Sequence, residues 1–140
     1  MKPIAQWFDE YGESHRNPTN KLLHWICVPL ITFSVLGLLW ALHPLAAVLV
    51  VALSLGFYLI LSWRLALVML ILALFMLWLL SLMPQVFWPC VGIFVVAWIG
   101  QFIGHHVEGK KPSFFQDLQF LMIGPVWLLG FVFRRLGWSY

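Results

Sequence analysis

The sequence predicts an all-α fold, an integral membrane helical bundle, on three observations. Hydrophobic residues make up 63% of the 140-residue chain and charged residues only 9%, whereas a soluble domain has about 45–50% apolar and about 25% charged residues. Four apolar runs follow one another almost without a break. At about 1.5 Å per helical residue, each is long enough to cross a hydrocarbon core of about 30 Å. The basic residues beside these runs fall on alternate turns only, as they do in the short loops of membrane proteins. A chain of this length makes one domain, so 1–140 reads as a single transmembrane unit.

Residues 1–20 form an amphipathic cytoplasmic segment. Its first ten residues lack an unbroken apolar stretch and turn acidic by Asp9, unlike a cleavable signal peptide. Asn17-Pro18 ends the helical pattern of 4–14 and makes 15–20 a hinge over the membrane surface. The first span, 21–42, is apolar apart from His24 and the hydroxyls of Thr32 and Ser34. His43-Pro44 breaks it, and a second span, 45–63, stops at Arg64. The third, 65–83, is nearly pure Leu, Val, Met and Ala. After Pro84-Gln85 comes a fourth, 86–104. Connections this short force neighbouring spans antiparallel. Trp40, Trp63, Trp78, Trp88 and Trp98 lie mostly near span ends, where indoles favour the headgroup level. A loop at 105–117 leads to a last apolar run, 118–133, which is short for a span and interrupted at Gly124-Pro125. It is expected to lie in the interface or re-enter, with a full fifth span as the alternative.

Charge gives the orientation. Lys2, Arg16, Lys21, Arg64, Lys110 and Lys111 all fall on one side of a four-span chain, and the turns on the other side have neither Lys nor Arg. That side is the cytoplasm, facing the inner membrane of a bacterium or the endoplasmic reticulum of a eukaryote. Crossing by 118–133 would carry Arg134 and Arg135 to the opposite face. The net charge of +3 therefore reads as topology; eight scattered basic residues form no aromatic-interleaved stripe for nucleic acid. Cys27 and Cys90 fall near opposite membrane faces, too far apart to pair, and read as packing residues.

This topology sorts the histidines. His15, His24, His105 and His106 gather at the cytoplasmic ends of the first and fourth spans, and His43 is on the other face. An imidazole inside a span is costly to desolvate and is a functional hypothesis by default, which singles out His24. Asn20 lies four residues earlier, on the same face if the helix extends that far, and can orient the ring. Glu108 stands three residues after His105, so a continued helix brings carboxylate and imidazole together. Imidazoles with one carboxylate suit non-haem Fe(II) and zinc alike. Paired histidines at a helix end also occur simply as interfacial residues. Gly104 and Gly109 bracket the His105–Glu108 stretch and allow a sharp turn or a helix cap. Gln101 shares the inward face with His105 or bonds another helix. Lys110 and Lys111 can receive a substrate carboxylate at headgroup level or serve as positive-inside anchors. Tyr11 and Glu13 read as solvated.

The stretch His15-Arg16-Asn17-Pro18-Thr19-Asn20-Lys21-Leu22-Leu23-His24 followed by Val28-Pro29, with Gln101-Phe102-Ile103-Gly104-His105, Glu108 and Pro112, resembles the fungal 2-hydroxy fatty acid dioxygenase family and its bacterial relatives. The likeness covers both halves and their spacing; between them only hydrophobicity matches. It implies an Fe(II)-dependent membrane enzyme that uses O2 to shorten a 2-hydroxy fatty acid by one carbon in alpha-oxidation, with His15, His24 and His105 needed for iron. Fungal members have glycine after the last of these and one more residue before the glutamate. Here His106, Val107 and Glu108 follow, so His106 and Glu108 both stand as candidates to complete the ligand set. Asn17, Asn20, Gln101, Lys110 and Lys111 would support the site or the substrate, whose tail would lie among the spans and membrane lipids.

Two other classes compete. His24 and His105 on antiparallel helices can be the axial ligands of a bis-histidine haem in an electron-transfer protein. Alternatively the chain is a non-enzymatic scaffold or transporter subunit whose histidines cap helices. The second and third spans have almost no polar residue to line a transport path.

Overall fold

The computed structural model describes residues 3–13, 16–109 and 114–140, without the side chains of 13 and 114–121. Six helices follow in order: α1 (Ile4–Glu13), α2 (Pro18–Leu42), α3 (Pro44–Leu61), α4 (Trp63–Leu82), α5 (Phe87–Glu108) and α6 (Phe114–Leu136). No strand occurs among the described residues. Helices α2 to α5 are each long and apolar enough to cross a membrane. Their outward faces carry Leu53, Ile60, Leu74, Phe75 and Val96, all more than half exposed. So much outward apolar surface is untenable in water and fits a membrane protein.

Single residues make two of the reversals. His43 ends α2 with its backbone N–H on the Leu39 carbonyl, while its Nδ1 accepts from the Leu45 N–H at 3.0 Å to cap α3. Ser62 does the same between α3 and α4, donating to the Tyr58 carbonyl and accepting from the Leu65 N–H. Each turn thus satisfies backbone groups at two helix ends with one residue. His43 is thereby a structural cap.

Helix α2 is the hub, with α3, α4, α5 and α6 all packed against it and α5 making the most extensive contact. Between apolar helices in lipid, association rests on close packing rather than on the hydrophobic effect. The α2–α5 seam meets that need with small residues. A Cβ on Gly100 would stand 2.5 Å from the Cys27 sulfur, and one on Gly37 would overlap the Cys90 sulfur. Each cysteine, free and buried, fills the hollow left by a glycine on the facing helix.

Helix α6 is longer than the apolar run 118–133, and the structure shows where it goes. Its start follows Gly109 by five residues, at most about 18 Å of chain. Its far end returns to the same end of the bundle: Arg64, at the start of α4, donates to the Ser139 hydroxyl, and the Tyr140 ring meets Phe8 of α1 at 5.4 Å. Helix α6 therefore begins and ends at one end of the bundle, roofing α2 and α4, with α1 packed on it. Phe8, Tyr11, Leu65, Val126, Trp127 and Phe133 form the buried core there.

Candidate functional site

The first turn of α2 shows what Arg16-Asn17-Pro18-Thr19-Asn20 does locally. Asn17 is the N-cap; its side-chain oxygen accepts from the N–H of Thr19 at 2.9 Å and of Asn20 at 3.4 Å, and its carbonyl accepts from Lys21. Pro18, at the first helical position, has no N–H to satisfy. The remaining two donors, the N–H groups of Arg16 and Asn17, reach across to α5 and bond the two carboxylate oxygens of Glu108 at 2.9 and 2.8 Å. Every backbone N–H from 16 to 21 is accounted for. The hinge expected over 15–20 is thus corrected for 18–20, which form the first helical turn because Asn17 caps it.

Glu108 is the last residue of α5, which runs four residues past the expected end of the fourth span. Gly109, in the left-handed conformation at φ 75°, stops it there. Besides the two backbone donors, the carboxylate accepts from Asn20 Nδ2 at 3.3 Å. A negative charge at the start of α2 also complements that helix's dipole. Glu108 therefore ties the end of α5 to the beginning of α2.

Gly104, one turn before Glu108, makes the crossing close enough. A Cβ there would overlap Oδ1 of Asn20 and lie 3.5 Å from Cε1 of His24. Gly100 and Gly104 form a G-x-x-x-G pair against α2. Gly104 is thus a packing glycine inside the helix rather than a turn, and Gly109 is the cap.

In the space so closed, His24 of α2 and His105 of α5 face one another, ring centroids 5.9 Å apart and planes perpendicular. Both are buried, at 2% and 8% exposure. His24 Nδ1 lies 2.9 Å from the Asn20 carbonyl. A carbonyl only accepts, so Nδ1 carries a proton. Asn20 orients the ring through its backbone, while its side chain serves Glu108. Gln101, one turn before His105, is also buried, and its Oε1 has no hydrogen-bond partner among the described residues.

Tyr11 was expected to be solvated. It is only 2% exposed, its ring edge-on to His24 at 6.3 Å and tilted against Trp127 of α6 at 4.9 Å. Sequence reasoning missed both aromatic walls, although Ile4, Phe8 and Tyr11 share the apolar stripe of α1. His106 points outward and is exposed. His15, Lys110 and Lys111 lie outside the described residues, as does the Glu13 side chain.

The arrangement suits metal binding as far as its donors go. Two buried imidazoles from facing helices converge, and one has a ring nitrogen anchored to a carbonyl, as metal-bound histidines usually do. Among the described residues no set of three His, Cys, Asp or Glu converges as a metal site. The third histidine of the motif, His15, directly precedes Arg16, whose N–H is held by Glu108.

Among curated proteins and solved structures, none matches the chain significantly. A family model described as 2-hydroxy-palmitic acid dioxygenase Mpo1-like matches residues 1–136, nearly the whole chain and both motif blocks. Its description implies a 2-hydroxy fatty acid substrate. The chain belongs to the 2-hydroxy-palmitic acid dioxygenase Mpo1-like family.

Proposed function

We propose that this protein is an Fe(II)-dependent membrane dioxygenase that converts a 2-hydroxy fatty acid and O2 into an acid one carbon shorter, carbon dioxide and water. The observation that carries the reading is the buried His24–His105 pair on facing helices, with Nδ1 of His24 anchored to the Asn20 carbonyl. When bound, iron would supply the one-electron chemistry that lets O2 react with an organic acid, together with open positions that a 2-hydroxy acid can chelate. The four electrons reducing O2 come from the substrate, so no nicotinamide or flavin is needed.

His15, His24 and His105 would hold the metal. The Asn20 carbonyl orients the His24 ring, and Glu108 would act by locking the two helices in register, its oxygens accepting from Arg16, Asn17 and Asn20. Gln101, whose buried oxygen points to no protein donor among the described residues, would accept a hydrogen bond from the substrate's 2-hydroxyl. Tyr11 and Trp127 exclude water beside His24. Lys110 and Lys111, which follow α5 in sequence, would draw the substrate's carboxylate at headgroup level on the cytoplasmic side. An amphiphile reaches such a site without leaving the membrane.

Elemental analysis of detergent-purified protein without a histidine tag tests the reading. Near-stoichiometric iron in the native chain, lost in folded His24→Ala and His105→Ala variants, is the expected result. Zinc in its place, or iron retained in both variants, would overturn it.

A further inference from the structure

We propose that the apolar cavity beneath α6, walled by α2, α3 and α4, receives the substrate's acyl chain, with Ala73 at its waist. The proposal rests on the functional reading for its occupant's identity, and on the following geometry for its place.

The space consists of two adjoining apolar hollows, its lobes, of about 150 and 170 Å³. They share Thr32 and Leu36 of α2, Met69 and Ala73 of α4 and Pro125 of α6. One lobe extends along α3 past Val51 and Ser54 to Tyr58; the other rises between Trp25, Pro29 and Val132. No charged residue lines either lobe.

Its hydroxyls are all engaged within the protein. Thr32 donates to the Val28 carbonyl at 3.0 Å, Tyr58 to the Met122 carbonyl at 2.7 Å, and Ser54 to the Met122 sulfur at 3.7 Å. With these protons already spent, the lining offers a polar occupant few partners, and water is held only where several groups bond it. What the lining accepts is hydrocarbon. Met69, Met76 and Met122 are flexible thioethers that adapt to a chain without fixed shape. Pro29 and Pro125, the prolines inside α2 and α6, face this space. Each withdraws one helical hydrogen bond, which keeps its helix from closing regularly over it.

Position relates the cavity to the histidines. Thr32 lies eight residues beyond His24 on α2, about 12 Å deeper along the helix. Between those levels of α2, Val28 packs with Tyr11 and Gly124: a Cβ on the glycine would stand 3.1 Å from the tyrosine oxygen and 3.3 Å from the valine. An amphiphile with its polar head at His24 would thus carry its methylenes past Tyr11 and into the two lobes.

The test is photolabelling of the full chain in nanodiscs of diacyl phosphatidylcholine, using palmitic and octanoic acids with a terminal diazirine. Metal-stripped protein is used, so labelling requires no turnover. The long probe should mark the α4 and α6 segments around Ala73 and Pro125, and excess palmitic acid should compete. Ala73→Phe, or Ala73→Leu if the larger side chain impairs folding, should weaken long-probe labelling by about tenfold, the effect of overfilling one apolar position. The octanoic probe should be little affected. Labelling confined to the lipid-facing side of α5, insensitivity to both variants, or no competition by palmitic acid against the nanodisc lipid would overturn the proposal. Correct labelling without oxygenase activity in metal-loaded protein would refute only the functional reading. Turnover with the label elsewhere would refute only the cavity.

Discussion

Replacing Glu108 separates a clamp from a metal ligand. Its carboxylate accepts from Arg16 N, Asn17 N and Asn20 Nδ2 at 2.9, 2.8 and 3.3 Å. A hydrogen bond to a charged acceptor is worth about 1.5–3 kcal/mol at most. Water takes over part of this for the two backbone donors near the surface, so about 0.5–1 kcal/mol each is the expected loss. The amide of Asn20, a fully buried residue, loses its acceptor at about 1–2 kcal/mol. Glu108→Ala should therefore destabilise the protein by about 2–4 kcal/mol. Glu108→Gln keeps one acceptor oxygen and should cost about half as much. Unfolding in detergent, followed by helical circular dichroism beside measured bound metal, provides both readouts. A cycle with Asn20→Ala should show a coupling of about 0.5–1.5 kcal/mol. Variants as stable as wild type that nevertheless lose metal equally would refute the clamp and make Glu108 a ligand.

Other expectations follow from the same geometry. Gly100→Ala should destabilise by about 1–3 kcal/mol through its overlap with the Cys27 sulfur, and Cys27→Ala in the same chain should restore most of that loss in a thermal melt. His43→Ala should cost about 0.5–2 kcal/mol as a lost helix cap while leaving bound metal unchanged, and exposed His106→Ala should change neither; metal loss in either variant would break the assignment of the site. Tyr58→Phe should cost about 1–2 kcal/mol, because its hydroxyl holds the Met122 carbonyl beside Pro125.

The fold was legible wherever hydrophobicity and helix breakers decide it. Four apolar runs separated by His43-Pro44, Arg64 and Pro84-Gln85 give four helices because lipid leaves backbone polar groups no other partners, although the second break falls at Ser62, two residues before Arg64. The histidine pairing was legible too, since antiparallel spans with charged loops on one side bring the ends of the first and fourth spans to the same depth. Boundaries were less so. Asn17-Pro18 stops a helix in one direction and starts one in the other, and only the structure shows Asn17 capping α2. Glu108 three residues after His105 stands as a candidate ligand because helical spacing joins them; its bonds to the backbone N–H groups of Arg16 and Asn17 were not legible, because those donors lie more than 90 residues away in sequence. Tyr11 looked solvated because nothing local reveals that α6 folds back to bury α1. The role of Gly104 likewise depends on which residue of α2 it faces.

The central claim is that the His24–His105 end of the bundle oxidises a 2-hydroxy acid, and its most direct test is turnover with mass balance. Iron-reconstituted protein in detergent is given 2-hydroxy-palmitic acid, and O2 uptake is followed beside the fifteen-carbon acid formed. One O2 consumed per chain-shortened acid, abolished in folded His24→Ala and His105→Ala variants, is the predicted result. Product formation undiminished in those variants, or no O2 uptake by fully iron-loaded native protein, would contradict it.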